Sequence, residues 1–202
     1  MNAPNNWSSG TPVRLETPRF VLRSVGPSDV NQKWADWTAD HDVMKGMNPN
    51  PSPMTQEMLR AQLRGYDNRG EFILGIYDKS NFEHVGIYRV NTHVANRIAT
   101  TNVVIGDTNY WGKNVVLETR AALIDFLFDH VNVEKIDGRP FARNLPAIFN
   151  YKAQGFVKEG TMRKQVRVSD TERWDQFLFG LLPEDWENLR DNPKVRGVTE
   201  NG

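Results

Sequence analysis

Apolar and polar residues change their period along this chain, and each change marks a predicted element. In "FVLRSV" (20–25) the two classes alternate, which predicts a strand. Pro27 and Ser28 in "GPSDV" suit a helix start, and Val30, Trp34 and Trp37 carry helical spacing through "DVNQKWADWTAD". The Pro and Asn content of "MKGMNPNPSP" predicts a loop. Thr55 then caps "QEMLRAQLRGY", where Met58, Leu59, Leu63 and Tyr66 form one apolar stripe. Three strands follow, "EFILGIYD", "HVGIYRVN" and "IATTNVVIGD", and their short connections imply antiparallel neighbours, because a parallel crossover needs a dozen or more residues.

The remainder reads as a long helix within "NYWGKNVVLETRAALIDFLFDHV" (109–131), a strand "VEKIDGRPF" and a helix "LPAIFNYKAQ". Two strands, "GFVKEGTMRKQVRV" and "TERWDQFLFGLL", and a short helix "PEDWENLR" complete the order. The mixture predicts an α+β architecture, a largely antiparallel sheet interrupted by one βαβ unit and flanked by helices.

At 202 residues the chain is long enough for one substantial core, expected over 12–190, with polar, frayed ends at 1–11 and 191–202. Lysine plus arginine equals aspartate plus glutamate at 25 each, so no net field draws the chain to nucleic acid or to anionic membranes. Cysteine is absent, which removes disulfides, thiol catalysis and cysteine-type zinc sites, and no metal is implied. "MNAPNNWSSGTP" lacks a basic n-region and an apolar core, so a cytoplasmic location is expected.

With Ile105 ending a strand and Asn114 as N-cap, the helix from Val115 places Leu117, Ala121, Ile124, Phe128 and Val131 on one face. Glu118, Asp125 and Asp129 are expected on the opposite, wet side. The free N–H groups of its first turn form a site for an anion, with Gly112 allowing close approach and Lys113 adding charge.

Further on, Asn144, Ala147, Tyr151, Gly155 and Phe156 in "RNLPAIFNYKAQGFVKEG" resemble the GNAT acetyltransferase pattern N-x-x-A-x-x-x-Y-x-x-x-G-F. "YWGKNVVLET" resembles that superfamily's acetyl-CoA motif, and is most similar to the "WGKGYATEA" variant of the ribosomal-protein alanine acetyltransferase-like branch. "LETPRFVLRSVGPSDV" and "RWDQFLFGLLPEDW" are similar to the same branch, so the likeness runs over roughly 13–190 in the right order. Trp111 is usual for the branch, whereas Asn114 and Val116 replace motif glycine or alanine.

The resemblance implies a sheet splayed between the fourth and fifth predicted strands. It implies acetyl-CoA as co-substrate, its pantetheine on the edge near Val104, Ile105 and Gly106. Trp111 and Asn144 fall at motif positions, and the pyrophosphate would sit on Gly112, Lys113, Asn114, Val115 and Val116. Tyr151 stands at the position that faces the departing thiolate. The implied activity is N-acetyl transfer to a primary amine, of a small molecule or a protein N-terminus, by direct attack in a ternary complex. A monomer or homodimer is expected. A non-catalytic acyl-CoA-binding or regulatory module is the alternative reading. No general base is assigned; His84, His93, Glu83 and Asp107 lie nearby in sequence, and Trp34, Trp37, Tyr66 and Trp174 are candidates to line the acceptor side.

Overall fold

The computed structural model describes residues 7–198. Its elements in chain order are β1 (Arg14–Glu16), β2 (Phe20–Ser24), α1 (Gln32–Ala39), α2 (His41–Met44), α3 (Gln56–Leu63), β3 (Glu71–Asp78) and β4 (His84–His93). There follow β5 (Ile98–Ile105), α4 (Val115–Asp129), β6 (Lys135–Gly138), α5 (Leu145–Ala153), β7 (Val157–Arg167), β8 (Arg173–Leu181) and α6 (Pro183–Glu187).

The strands form one sheet in the order β1-β2-β3-β4-β5-β6-β8-β7. Neighbours are antiparallel except β5 and β6, the two strands joined through α4. These two pair only at Ile98↔Lys135, Ala99↔Ile136 and Thr100↔Asp137. Beyond that point β5 continues to Ile105 beside β4 alone, and β6 turns to β8. The expected splay is therefore present. It falls between β5 and β6 rather than the fourth and fifth strands because β1, too short to show alternation, precedes the predicted set.

Helices cover both faces. On one, Leu123, Phe126 and Leu127 of α4 meet Leu22, Leu74, Ile76 and Val90. On the other, Trp34 and Trp37 of α1 and Leu59 and Leu63 of α3 meet Ile73, Ile87 and Val104. A strand buried on both sides loses its polar alternation, which explains the nearly continuous apolar run of "EFILGIYD".

Three local expectations change. The helix start at Pro27 is a single 3-10 turn; α1 begins afresh at Gln32, where Asn31 Oδ1 accepts from Trp34 N at 2.9 Å. The short α2 was not predicted, being a single turn held by Asp40, whose carboxylate accepts from Asp42 and Val43 N–H. Met58 lies outside the buried stripe of α3, on its exposed side.

The largest correction concerns α4, which has no wholly wet side. Glu118 is 3% exposed. Its carboxylate accepts from Thr17 Oγ1 (2.7 Å), Arg19 N (2.8 Å) and Arg19 Nε (2.7 Å). Asp125 accepts from Trp186 Nε1 (2.8 Å), Arg190 (3.1 Å) and Arg196 (2.8 Å). Periodicity placed these acids outward because carboxylates are normally solvated, but here the chain ends lie over that side and supply donors.

The ends themselves are a further correction where they are described. The Trp7 ring meets Phe126 edge-on with centroids 5.0 Å apart. Val195 is buried, and Arg196 binds Asp125. The expectations for 1–6 and 199–202 lie outside the described residues.

Glu118→Ala would leave the Arg19 N–H without an acceptor, while the buried Thr17 hydroxyl would keep only its longer bond to Phe20 O at 3.1 Å. Because the Arg19 side chain is 38% exposed, the ion pair itself contributes little and the lost hydrogen bonds dominate. A loss of about 1–3 kcal/mol is expected, read as a lower urea midpoint at unchanged slope.

Candidate active site

After Ile105 the chain must reverse to enter α4. A 3-10 turn, Thr108–Tyr110, is capped by Asp107, whose carboxylate accepts from Asn109 N at 3.0 Å. Two left-handed residues, Gly112 (φ +73°) and Asn114 (φ +57°), complete the reversal. Asn114 holds the position before the helix, but its side chain makes no cap hydrogen bond. The predicted cap is thus corrected: the residue is suited to the site by its tolerance of left-handed backbone, since its short polar side chain clashes less than most.

Among the described residues, the amides of Gly112, Asn114, Val115 and Val116 find no protein acceptor. Open space surrounds Gly112 on the side where a Cβ would point. The Lys113 side chain lies 5.6 Å from the centre of the Tyr110 ring, and its carbonyl accepts from Arg19 Nη2 at 2.9 Å. Arg19 therefore ties the β1–β2 turn both to Glu118 and to this loop. The result is a group of free donors at the positive end of a fifteen-residue helix, a setting that favours an anion.

Beside it lies the open edge of β5. Gly106 N–H donates to Val85 O at 3.0 Å, so Gly106 faces β4 rather than the opening. By the two-residue alternation of a strand, Val104 faces β4 as well, and Val103 and Ile105 present their backbone groups to the gap. Sequence reading centred this edge on Val104 to Gly106; only Ile105 of the three turns its main chain outward. The half-exposed Trp111 indole already donates to Ile105 O at 2.9 Å.

Tyr151 reaches the parting point from α5. Its ring stacks on Phe179 (5.2 Å, 8°), and its hydroxyl lies against Gly138, where a Cβ would overlap it. Glycine at 138 is therefore needed for the approach of that hydroxyl. Burial pushes the Tyr151 pKa up, opposed by the Arg120 charge and the Thr101 hydroxyl, so the phenol is a donor throughout the neutral range. Asn144 caps α5, its Oδ1 accepting from Ala147 N (3.1 Å), and its Nδ2 donates to Gly46 O (3.2 Å). With both ends engaged, it holds α5 in place.

Tyr66 packs, partly buried, against the core cluster of α1 and α3. His84 is enclosed by Trp34, Trp37 and Tyr77, stacked on the last at 4.8 Å, and neither ring nitrogen has a hydrogen-bond partner among the described residues. Burial above all pulls its pKa down to about 4, so it is neutral at physiological pH. Glu83 and Asp107 both pair with Lys33 (2.7 and 2.9 Å), and His93 accepts from Asn96 N. Trp34 and Trp37 are core residues. Trp174 packs between Phe141 and Arg143.

Sequence reading missed the pair at the parting point, where Thr100 Oγ1 donates to Asp137, which is also faced by Arg139 Nη2 at 3.4 Å. No motif flags a threonine and an aspartate 37 residues apart; only knowledge of the parallel register would join them.

Comparison with known proteins agrees with this geometry. A family described as "Acetyltransferase (GNAT) domain" matches residues 19–157. A Bacillus licheniformis protein named "Uncharacterized N-acetyltransferase p20" is 28% identical over 180 residues, covering 85% of this chain and 97% of that protein. Spermidine N-acetyltransferase from Vibrio cholerae, solved with CoA and spermine, is similar in fold at TM-score 0.75 and 18% identity, over 84% of this chain and 98% of that one. Ribosomal-protein-S5-alanine acetyltransferase from Vibrio fischeri is similar at TM-score 0.74 and 21% identity, over 86% and 98%. No helix among the described residues is long and apolar enough to cross a membrane. A splayed sheet, free amides at the start of α4 and a buried tyrosine at the parting point coincide with the family match over most of the chain, which belongs to the GNAT acetyltransferase domain family.

Proposed function

We propose that this acetyltransferase moves the acetyl group of acetyl-CoA to a primary amine by direct attack within a ternary complex. The observation that carries the reading is the placing of the Tyr151 hydroxyl against Gly138, where β5 and β6 part. The pantetheine arm would pair with the outward backbone groups of Val103 and Ile105, and the pyrophosphate would take the free amides of Gly112, Asn114, Val115 and Val116. Val116 adds bulk beside that turn but leaves its own N–H available.

In the reaction the amine nitrogen bonds to the thioester carbon and the carbon–sulfur bond breaks. The Tyr151 hydroxyl supports the departing thiolate as donor or acid. The amine loses its proton to water, since the nearby His84, Glu83 and Asp107 are buried or paired. Both substrates held in one cleft supply the proximity that a direct transfer requires. The acceptor is a primary amine of a small molecule or a protein N-terminus. Likeness of "YWGKNVVLET" to the ribosomal-protein alanine acetyltransferase branch supports the second, and the fold shared with a spermidine acetyltransferase the first.

Three outcomes test the reading. Val116→Pro removes one first-turn donor where proline is tolerated, so acetyl-CoA should bind about ten- to a hundredfold more weakly in a titration, with helicity unchanged by circular dichroism. Unchanged affinity would remove this turn from the cofactor site. Tyr151→Phe keeps the ring packing and loses only the donor; the single-turnover rate of acetyl transfer should fall about ten- to a thousandfold while acetyl-CoA affinity holds. Turnover like the wild type, with chemistry rate-limiting, would exclude the hydroxyl. Because the Tyr151 pKa is raised, its donor form persists as pH rises. The rate should therefore climb with amine deprotonation and show no falling limb below about pH 10 in a profile from pH 6 upward.

A further inference from the structure

Helix α4 carries a buried positive charge that forms no ion pair among the described residues. Arg120 is 2% exposed, its Nε donates to Gln154 Oε1 at 2.6 Å, and its Nη2 has no hydrogen-bond partner among the described residues. The carboxylates of the same helix are engaged elsewhere, Glu118 by Thr17 and Arg19, Asp125 by Trp186, Arg190 and Arg196, and Asp129 by Arg190. An apolar side chain of similar length would be the stabilising choice at such a site, because a buried unpaired guanidinium loses its hydration without Coulombic return.

What Arg120 does meet is Tyr151. Its guanidinium carbon lies 4.4 Å from the centre of the Tyr151 ring and 5.4 Å from that of Phe156. Gln154, which holds the Nε, is itself fixed, its Nε2 donating to Leu117 O (2.8 Å) and Val195 O (3.3 Å). Phe179 stacks on the Tyr151 ring as well, and Phe156 meets it edge-on at 5.0 Å. The ring is thus held by a cation and two aromatic side chains, and none of them accepts a hydrogen bond from its hydroxyl.

We propose that Arg120 is a positioning residue for acetyl transfer, holding a fixed positive charge against the Tyr151 ring so that its hydroxyl is a stronger donor to the leaving thiolate. The inference rests on the role assigned to Tyr151 above. A cation beside a phenol favours the phenolate and so polarises the O–H bond. The other groups facing Tyr151 do not supply this. Asp137 of β6 acts in the opposite sense, and Thr101 of β5 is uncharged. Tyr88 of β4 shares a hydrogen bond with Thr119 (3.1 Å) and is neutral, its pKa pushed up to about 12 by burial.

The test is a double-mutant cycle on single-turnover acetyl transfer with Arg120→Met, Arg120→Lys and Tyr151→Phe. Arg120→Met keeps length and removes charge; it should slow transfer about tenfold with acetyl-CoA affinity held, and Arg120→Lys should recover part of the loss. In the Tyr151→Phe background Arg120→Met should cost nothing further. An equal loss in both backgrounds would overturn the inference and leave the role of Tyr151 standing, whereas a Tyr151→Phe rate equal to wild type would remove both. A second measurement reads the charge without turnover. With difluorotyrosine at position 151, whose phenol titrates at lower pH, the pKa should rise by about one unit in Arg120→Met and in the same direction, by less, in Arg120→Lys. The lysine variant keeps a charge in the core and serves if the methionine variant does not fold. No change of pKa in either variant that folds would overturn the inference.

Discussion

The separation of β5 from β6 after Thr100 and Asp137 is the constraint on which the rest of the structure depends. A parallel pair that continued to Ile105 would satisfy the backbone of β5 and close the sheet. Instead β6 pairs onward with β8 through Asp137 and Gly138, and α5 delivers an aromatic ring to the gap. The Thr100–Asp137 hydrogen bond ties the two strands at the last point where they touch. Past it, the unpaired groups of β5 are available to a ligand for the reason that they are missing a strand, the same chemistry by which exposed sheet edges recruit extended chains.

Helix α4 sets free backbone donors beside that separation. It spans the crossover that makes β5 and β6 parallel, so its first turn must lie beside the end of β5. It is buried on almost every side, which would strand its acids without the donors of Thr17, Arg19, Trp186, Arg190 and Arg196. Arg19 holds Glu118 and the Lys113 carbonyl together, so the residue that satisfies the helix also fixes the loop in front of it. Order in the free amides follows from burial several residues further on.

Much of this was legible in the sequence, and what was not has physical causes. Long periodic segments and well-capped starts, such as Thr55 before α3, were read at their true positions because local chemistry decides them. Asn114 was read as the residue before the helix, and it is, but its missing cap bond was not foreseen, since a left-handed residue cannot easily serve as a cap as well. The outward face assigned to Glu118 and Asp125 failed because period alone does not report what covers a helix. Tyr151 was singled out through its spacing from Asn144 and Gly155, yet Arg120 and Asp137, which act on it, carry no spacing signal. They reach it through register and packing between segments distant in sequence.

The two described ends of the chain meet on the same helix: Trp7 lies on Phe126, and Val195, Arg196 and Gly197 lie against Gln154, Asp125 and Leu117. A chain leaving the ribosome from its N-terminus makes β1 to β5 and α4 first, but the side of α4 that holds Asp125 stays uncovered until Arg196 has emerged. The first half therefore waits through synthesis of the second with apolar surface and a free strand edge on display, a state that invites association with other nascent chains. Vectorial synthesis thus gives the segment around Val195 and Arg196 the role of a latch on α4, which closes after the sheet strands before it have been made.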